Sequence, residues 1–133
     1  MEAYALTDIG RVRTMNQDYI YSSPEKVGSL PNLFLVADGM GGHQAGDYAS
    51  RFAVENLVIY INREGKGSPV MQLKTGIGIV NEQLYEESLL REELKGMGCT
   101  LVAGVVEDNL LYVANVGDSR LYLIHNKTIR QVT

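Results

Sequence analysis

The feature that most constrains this chain is the run Leu33-Phe34-Leu35-Val36-Ala37, which ends abruptly in Asp38-Gly39-Met40-Gly41-Gly42-His43. Five consecutive apolar residues fit a strand covered on both faces, because neither side then meets water. Such a strand needs sheet neighbours and covering helices, so the chain must supply both. A buried strand that opens into a glycine-rich acidic segment also places chemistry at the strand end, where loops carry function.

Period and turn residues supply the remaining elements. Residues 3–9, closed by Gly10, read as a first strand, and residues 18–21 as a second, ended by Ser22-Ser23-Pro24. From Gln44 the period lengthens. Ala49, Phe52, Ala53, Leu57 and Tyr60 recur at three- and four-residue steps, predicting a helix to about Asn62. Residues 63–69 read as a plain connector. Leu73, Ile77, Val80 and Leu84 mark a second helix extending towards Leu94. Gly76 and Gly78 each weaken it by about 1 kcal/mol relative to alanine, unless they permit close approach of a neighbour. Beyond Gly98 the period becomes two: residues 100–106 and 110–116 form a hairpin about Glu107-Asp108-Asn109, with covering expected on both faces of each strand. A third strand, 120–124, turns at His125-Asn126-Lys127 into 128–132. Strands, two helices and a strand meander, in that order, predict an α+β fold with antiparallel sheet.

Bulk properties narrow the function classes. At 133 residues the chain is one domain or part of one. The net charge of −4 argues against nucleic acid as a partner, since a phosphate backbone requires a basic footprint. No apolar stretch reaches the roughly 20 residues of a membrane helix. The start, Met1-Glu2-Ala3-Tyr4, does not read as a secretory signal. Cys99 is the one cysteine, so no internal disulfide forms, which suits a reducing cytoplasm.

Three segments carry oxygen ligands or phosphate-binding groups. Asp38 offers two oxygens to hard divalent cations, and Gly39, lacking a side chain, lets its own carbonyl approach a metal. A plain Asp-Gly turn is the alternative. In Asp8-x-Gly10-x-x-Arg13-x-x-Asn16-Gln17-Asp18, Arg13 suits bidentate phosphoryl contact and Asp18 can orient a metal-bound water. A solvated arginine and a strand-capping acid would look the same. Gly117-Asp118-Ser119-Arg120 is either a tight turn or a carboxylate held beside the metal site. His43 fits a general acid or a structural loop histidine. His125 is given a structural role only, and Cys99 reads as a small buried residue. Nucleotide-binding glycine motifs fail: no Gly-Lys-Ser/Thr is present, and Gln44 and Asn81 stand where the dinucleotide pattern needs glycine.

Taken together and in order, these segments resemble the metal-dependent protein phosphatase (protein phosphatase 2C) family. The matching segments are residues 7–13 with Asn16-Gln17-Asp18, then Val36-Ala37-Asp38-Gly39-Met40-Gly41-Gly42-His43, Gly98-Cys99-Thr100, and Ala114-Asn115-Val116-Gly117-Asp118-Ser119-Arg120. They cover nearly the whole chain, and Met40 before Gly41-Gly42-His43 resembles the bacterial branch. The resemblance implies a β-sandwich of two antiparallel sheets flanked by helices (α-β-β-α), with two manganese or magnesium ions at one end and a third held more weakly. It implies hydrolysis of phosphoserine and phosphothreonine in proteins phosphorylated by a serine/threonine kinase. Asp38 would bridge two metals, the Gly39 carbonyl would bind one, and Asp18 would hold a metal-bound water. Arg13 would hold the phosphate, Asp118 would serve the third metal, and His43 would act as acid or substrate contact.

Two departures qualify this. Gln17 stands where many family members have glutamate. The family's further metal-binding aspartates, in Asp-Gly and Asp-Asn segments, lie downstream of Thr133. Residues 1–133 are therefore expected to be the N-terminal part of one catalytic domain, inactive alone and self-associating through open sheet edges. A noncatalytic, phosphatase-like binding module is the alternative.

Overall fold

The computed structural model describes residues 1–42 and 44–133. Among the described residues, seven strands and two long helices follow in the order β1 (Asp18–Ser23), β2 (Leu33–Met40), α1 (Ala45–Glu64), α2 (Pro69–Leu90), β3 (Gly98–Cys99), β4 (Leu101–Glu107), β5 (Leu110–Val116), β6 (Tyr122–His125) and β7 (Thr128–Gln131). The main sheet runs β1-β2-β4-β5 and is antiparallel throughout, with β3 paired to the end of β2. Strands β6 and β7 pair only with each other among the described residues. The expected α+β class is what the structure shows.

Both helices lie on one face of the sheet. Leu33, Leu35 and Ala37 of β2, with Leu101, Ala103 and Val105 of β4, point at Ala53, Leu57 and Ile61 of α1 and Leu73 and Val80 of α2, and all are buried. The alternate residues of β2 face the other way, and Val36 is 45% exposed. The apolar run of β2 is therefore covered on one face, not two. Strand β5 is likewise mostly open, although cover was expected on both its faces. On β4 the expectation holds better: Val102 is buried, and Leu111 and Leu121 lie beside Gly104 on the face away from the helices.

Strand β2 does not stop at Asp38 as its sequence implied. It runs on to Met40, because Gly39 and Met40 find partners in Cys99 and Gly98. The strand expected over residues 3–9 does not form: Tyr4 and Leu6 are about nine-tenths exposed, and no neighbouring backbone offers hydrogen bonds. Strand propensity cannot act without a partner strand. The second helix begins earlier than its apolar period, at Pro69, where the Ser68 hydroxyl accepts from the Met71 amide at 3.3 Å. A serine N-cap followed by proline is a helix-start signal that the reading of 63–69 as a connector missed. It ends at Leu90, and Glu92–Leu94 forms a separate 3-10 turn.

Gly76 has a packing reason. A methyl group there would come within 2.6 Å of Leu57 Cδ1 and 2.7 Å of Tyr60 Cδ1, so its absence lets α2 lie close on α1. No such neighbour exists at Gly78. Both hairpins turn through two left-handed residues, Asp108-Asn109 and Asn126-Lys127, as two-residue connections with this twist require.

Candidate metal centre

Register brings the two acids together. Asp18 opens β1 and lies directly across from Asp38 on β2, although 20 positions separate them in sequence. Directly opposed like charges are unfavourable unless something neutralises them. Asp18 registers this: its carboxyl is raised above the usual range, first by partial burial, then by the Asp38 charge and a hydrogen bond between the two.

The loop before β1 forms the wall. Asn16 is its brace: its amide donates to Thr7 Oγ1 at 2.8 Å, and its oxygen accepts from the Asp18 amide at 3.0 Å. Asp8 accepts from the Gly10 amide at 2.7 Å, closing a local turn. The resulting depression, about 530 Å³, is lined by Asp8, Arg13, Asp18, Asp38 and Gly39 among others. Arg13 is exposed there and makes no ion pair among the described residues. An open cation beside two carboxylates leaves room for an anion between guanidinium and acids.

Helix α1 starts against this site. The Gly39 amide donates to the Gln17 carbonyl at 2.9 Å, and the Ser50 hydroxyl donates to the same carbonyl at 2.7 Å. A methyl on Gly39 would overlap the carbonyl oxygen of Gly46, in the first turn of the helix. Glycine is thus required here by the closeness of strand and helix, a reason not visible in the sequence. The Gln17 side chain lies against Gly46 as well.

Thr100 was not singled out as a site residue, yet it grips Asp38 at both ends of its backbone. The Asp38 amide donates to Thr100 Oγ1 at 3.1 Å, and the Thr100 amide donates to the Asp38 carbonyl at 2.9 Å. Thr100 Oγ1 also shares a hydrogen bond with Ser119 Oγ, 2.6 Å away, in which either hydroxyl can donate. This tie anchors the turn that bears Asp118. Asp118 itself is exposed and does not line the depression that holds Arg13, Asp18 and Asp38. His43 lies outside the described residues. Burial, with the nearby Asp38 charge, pushes the Cys99 thiol up to about 11, so it stays protonated at neutral pH and is no nucleophile.

Among the described residues no three His, Cys, Asp or Glu side chains converge as a ligand set. The oxygen-only donors that do converge, two facing carboxylates with a glycine backbone beside them, are the chemistry that magnesium or manganese takes. A cation bound between two directly opposed carboxylates would neutralise both, so the residues present fit such an ion. No helix among the described residues is long and apolar enough to cross a membrane.

Known proteins resemble this chain in sequence and fold. The serine/threonine phosphatase stp of Listeria welshimeri is 40% identical over the whole chain, and protein phosphatase PhpP of Streptococcus pneumoniae is 35% identical. The chain spans about half the length of these curated relatives, 54% of each. Among solved structures, the serine/threonine phosphatase Stp1 of Staphylococcus aureus superposes with a TM-score of 0.85 at 35% identity, over 96% of this chain and 51% of that one. The catalytic domain of PstP, described in complex with two manganese ions, gives 0.78 at 32% identity, over 93% and 51%. The family model described as protein phosphatase 2C matches residues 10–133, which take in Arg13, Asp18, Asp38 and Thr100 alike, and this chain belongs to that family.

Proposed function

We propose that this chain forms part of a metal-dependent phosphatase that removes phosphate from serine and threonine side chains of proteins. The observation that carries the reading is the gathering of Arg13, Asp18, Asp38 and Gly39 in one depression. In this reading Asp38, the Gly39 carbonyl and Asp18 hold divalent cations, manganese or magnesium, and Asp118 serves a further, weaker ion. When bound, such ions activate water and neutralise phosphoryl oxygens. Arg13 holds the phosphate by two parallel hydrogen bonds and stays in place as charge develops on its oxygens. Thr100 keeps the Asp38 backbone from shifting as ligands bind. His43 is assigned proton donation to the leaving oxygen. The protonated Cys99 takes no part.

The substrates are phosphoproteins made by a serine/threonine kinase, and the site of action is the cytoplasm. Two copies of the chain associate through the edges of β1 and β5, which have no outer neighbour among the described residues.

The test is hydrolysis of phosphothreonine peptides by the full-length protein with manganese, with metal content measured in parallel. Arg13→Ala should lower kcat/KM by about 10²- to 10³-fold with metal uptake unchanged. Manganese-loaded protein that binds phosphopeptides without turning them over would instead establish a noncatalytic binding module.

A further inference from the structure

A second depression, about 750 Å³, lies beside the metal cleft, between the start of α1 and the 3-10 turn that follows α2. Thr14 and Met15 line both depressions, so the two adjoin at the loop that carries Arg13. The second one is aromatic and charged rather than a second ligand cluster. Tyr48 and Phe52 stack at 5.8 Å between ring centres, 25° from parallel, and form its platform.

The charges along it do not cancel. Arg51 is paired with Asp47 at 3.3 Å, and Arg91 with Glu93 at 3.0 Å. The Arg91 guanidinium also rests 5.2 Å from the centre of the Tyr48 ring. Glu55 makes no ion pair among the described residues; it only accepts from Tyr19 Oη at 3.0 Å, and a phenol does not neutralise a carboxylate. The charged side chains that line the depression, Asp47, Glu55 and Glu93 against Arg51 and Arg91, therefore leave one carboxylate uncompensated beside an aromatic floor.

We infer that this depression binds the polypeptide of a phosphoprotein substrate next to its phosphorylated residue, and selects there for an arginine or lysine. The inference rests on the phosphatase reading of the adjoining cleft. The stem of the basic side chain lies along Tyr48 and Phe52, and its cation reaches Glu55. An acidic segment is disfavoured by the same carboxylates. A small phosphate ester fills the metal cleft alone and never reaches Tyr48, which separates the two sites experimentally.

The experiment uses the full-length, manganese-loaded protein with three probes: a phosphothreonine peptide set scanning arginine through the flanking positions, the same set carrying glutamate, and p-nitrophenyl phosphate. At the best position the arginine peptide should exceed the glutamate peptide by about five- to tenfold in kcat/KM. Glu55→Gln should erase most of that ratio, and Glu55→Lys should invert it, with p-nitrophenyl phosphate turnover unchanged in both. Glu55 is exposed, and turnover of the small ester reports directly that each variant is folded. An arginine-to-glutamate ratio near one at every position, or a ratio that both variants leave intact, overturns the inference while the phosphatase reading stands. Absence of turnover of all three probes by the metal-loaded wild type overturns the phosphatase reading and this inference with it.

Discussion

The backbone of Asp38 is held at both its amide and its carbonyl by Thr100. Replacing Thr100 by valine keeps the shape but removes the acceptor of the Asp38 amide and the hydroxyl bonded to Ser119. Losing a partly buried hydrogen-bond partner of this kind costs about 1–3 kcal/mol of stability. Partners that orient a metal ligand typically change metal affinity by about 10- to 100-fold. Thr100→Val should therefore weaken manganese binding by about that factor in calorimetry, whereas Thr100→Ser, which keeps the hydroxyl, should stay near wild type. Wild-type manganese affinity in the valine variant would remove Thr100 from the site. The two acids and Arg13 were legible as chemistry in the sequence because each sits in a short motif with its own ligand logic. Thr100 was not, because its role exists only through register with a residue 62 positions earlier. The close packing at Gly39 was hidden for the same reason: the atom that excludes a side chain belongs to Gly46, on another element.

At the scale of elements, the two glycines of α2 look alike in sequence and are opposite in structure. Gly76 faces α1, where an added methyl meets Leu57 and Tyr60, while Gly78 faces no neighbour within 4 Å. Gly76→Ala should destabilise the protein by about 1–3 kcal/mol through overpacking. Gly78→Ala should stabilise it by about 0.5–1 kcal/mol, because alanine replaces glycine in an open helical position. Thermal unfolding of the two variants separates these effects, and shifts of the same sign would refute the assignment of faces. The helices themselves were readable because an amphipathic period is local. What was misread needed a partner. Residues 3–9 have strand-like composition but nothing to pair with, and β2 outruns its apolar segment because β3 returns to meet it. The hairpin β6–β7 was expected to extend the meander, yet its strands leave the sheet after Ser119 and pair only with each other among the described residues.

The main sheet carries its helices on one side, and the other side is where the molecule's behaviour as a body is decided. Val36 and Val116 are nearly half exposed, and Leu110 at the start of the outer strand β5 is 57% exposed. Edge strands with apolar side chains and unpaired backbone groups recruit further strands, unless charge or proline blocks them. Strand β5 carries neither: its seven residues, Leu-Leu-Tyr-Val-Ala-Asn-Val, hold no charged side chain and no proline. A modest net charge of −4 offers little long-range repulsion between copies at physiological salt. The 133-residue chain should therefore associate at micromolar concentration, and sedimentation velocity should show species larger than a monomer. Leu111→Lys, which puts a cation near the start of that edge, should shift the distribution towards monomer without unfolding the chain, as followed by circular dichroism. A stable monomer for the unaltered chain at those concentrations would show that neither the edge nor the open face recruits a second copy. If the lysine variant associates as strongly as the parent, the contact does not run through β5, and the apolar face bearing Val36 becomes the surface through which copies meet.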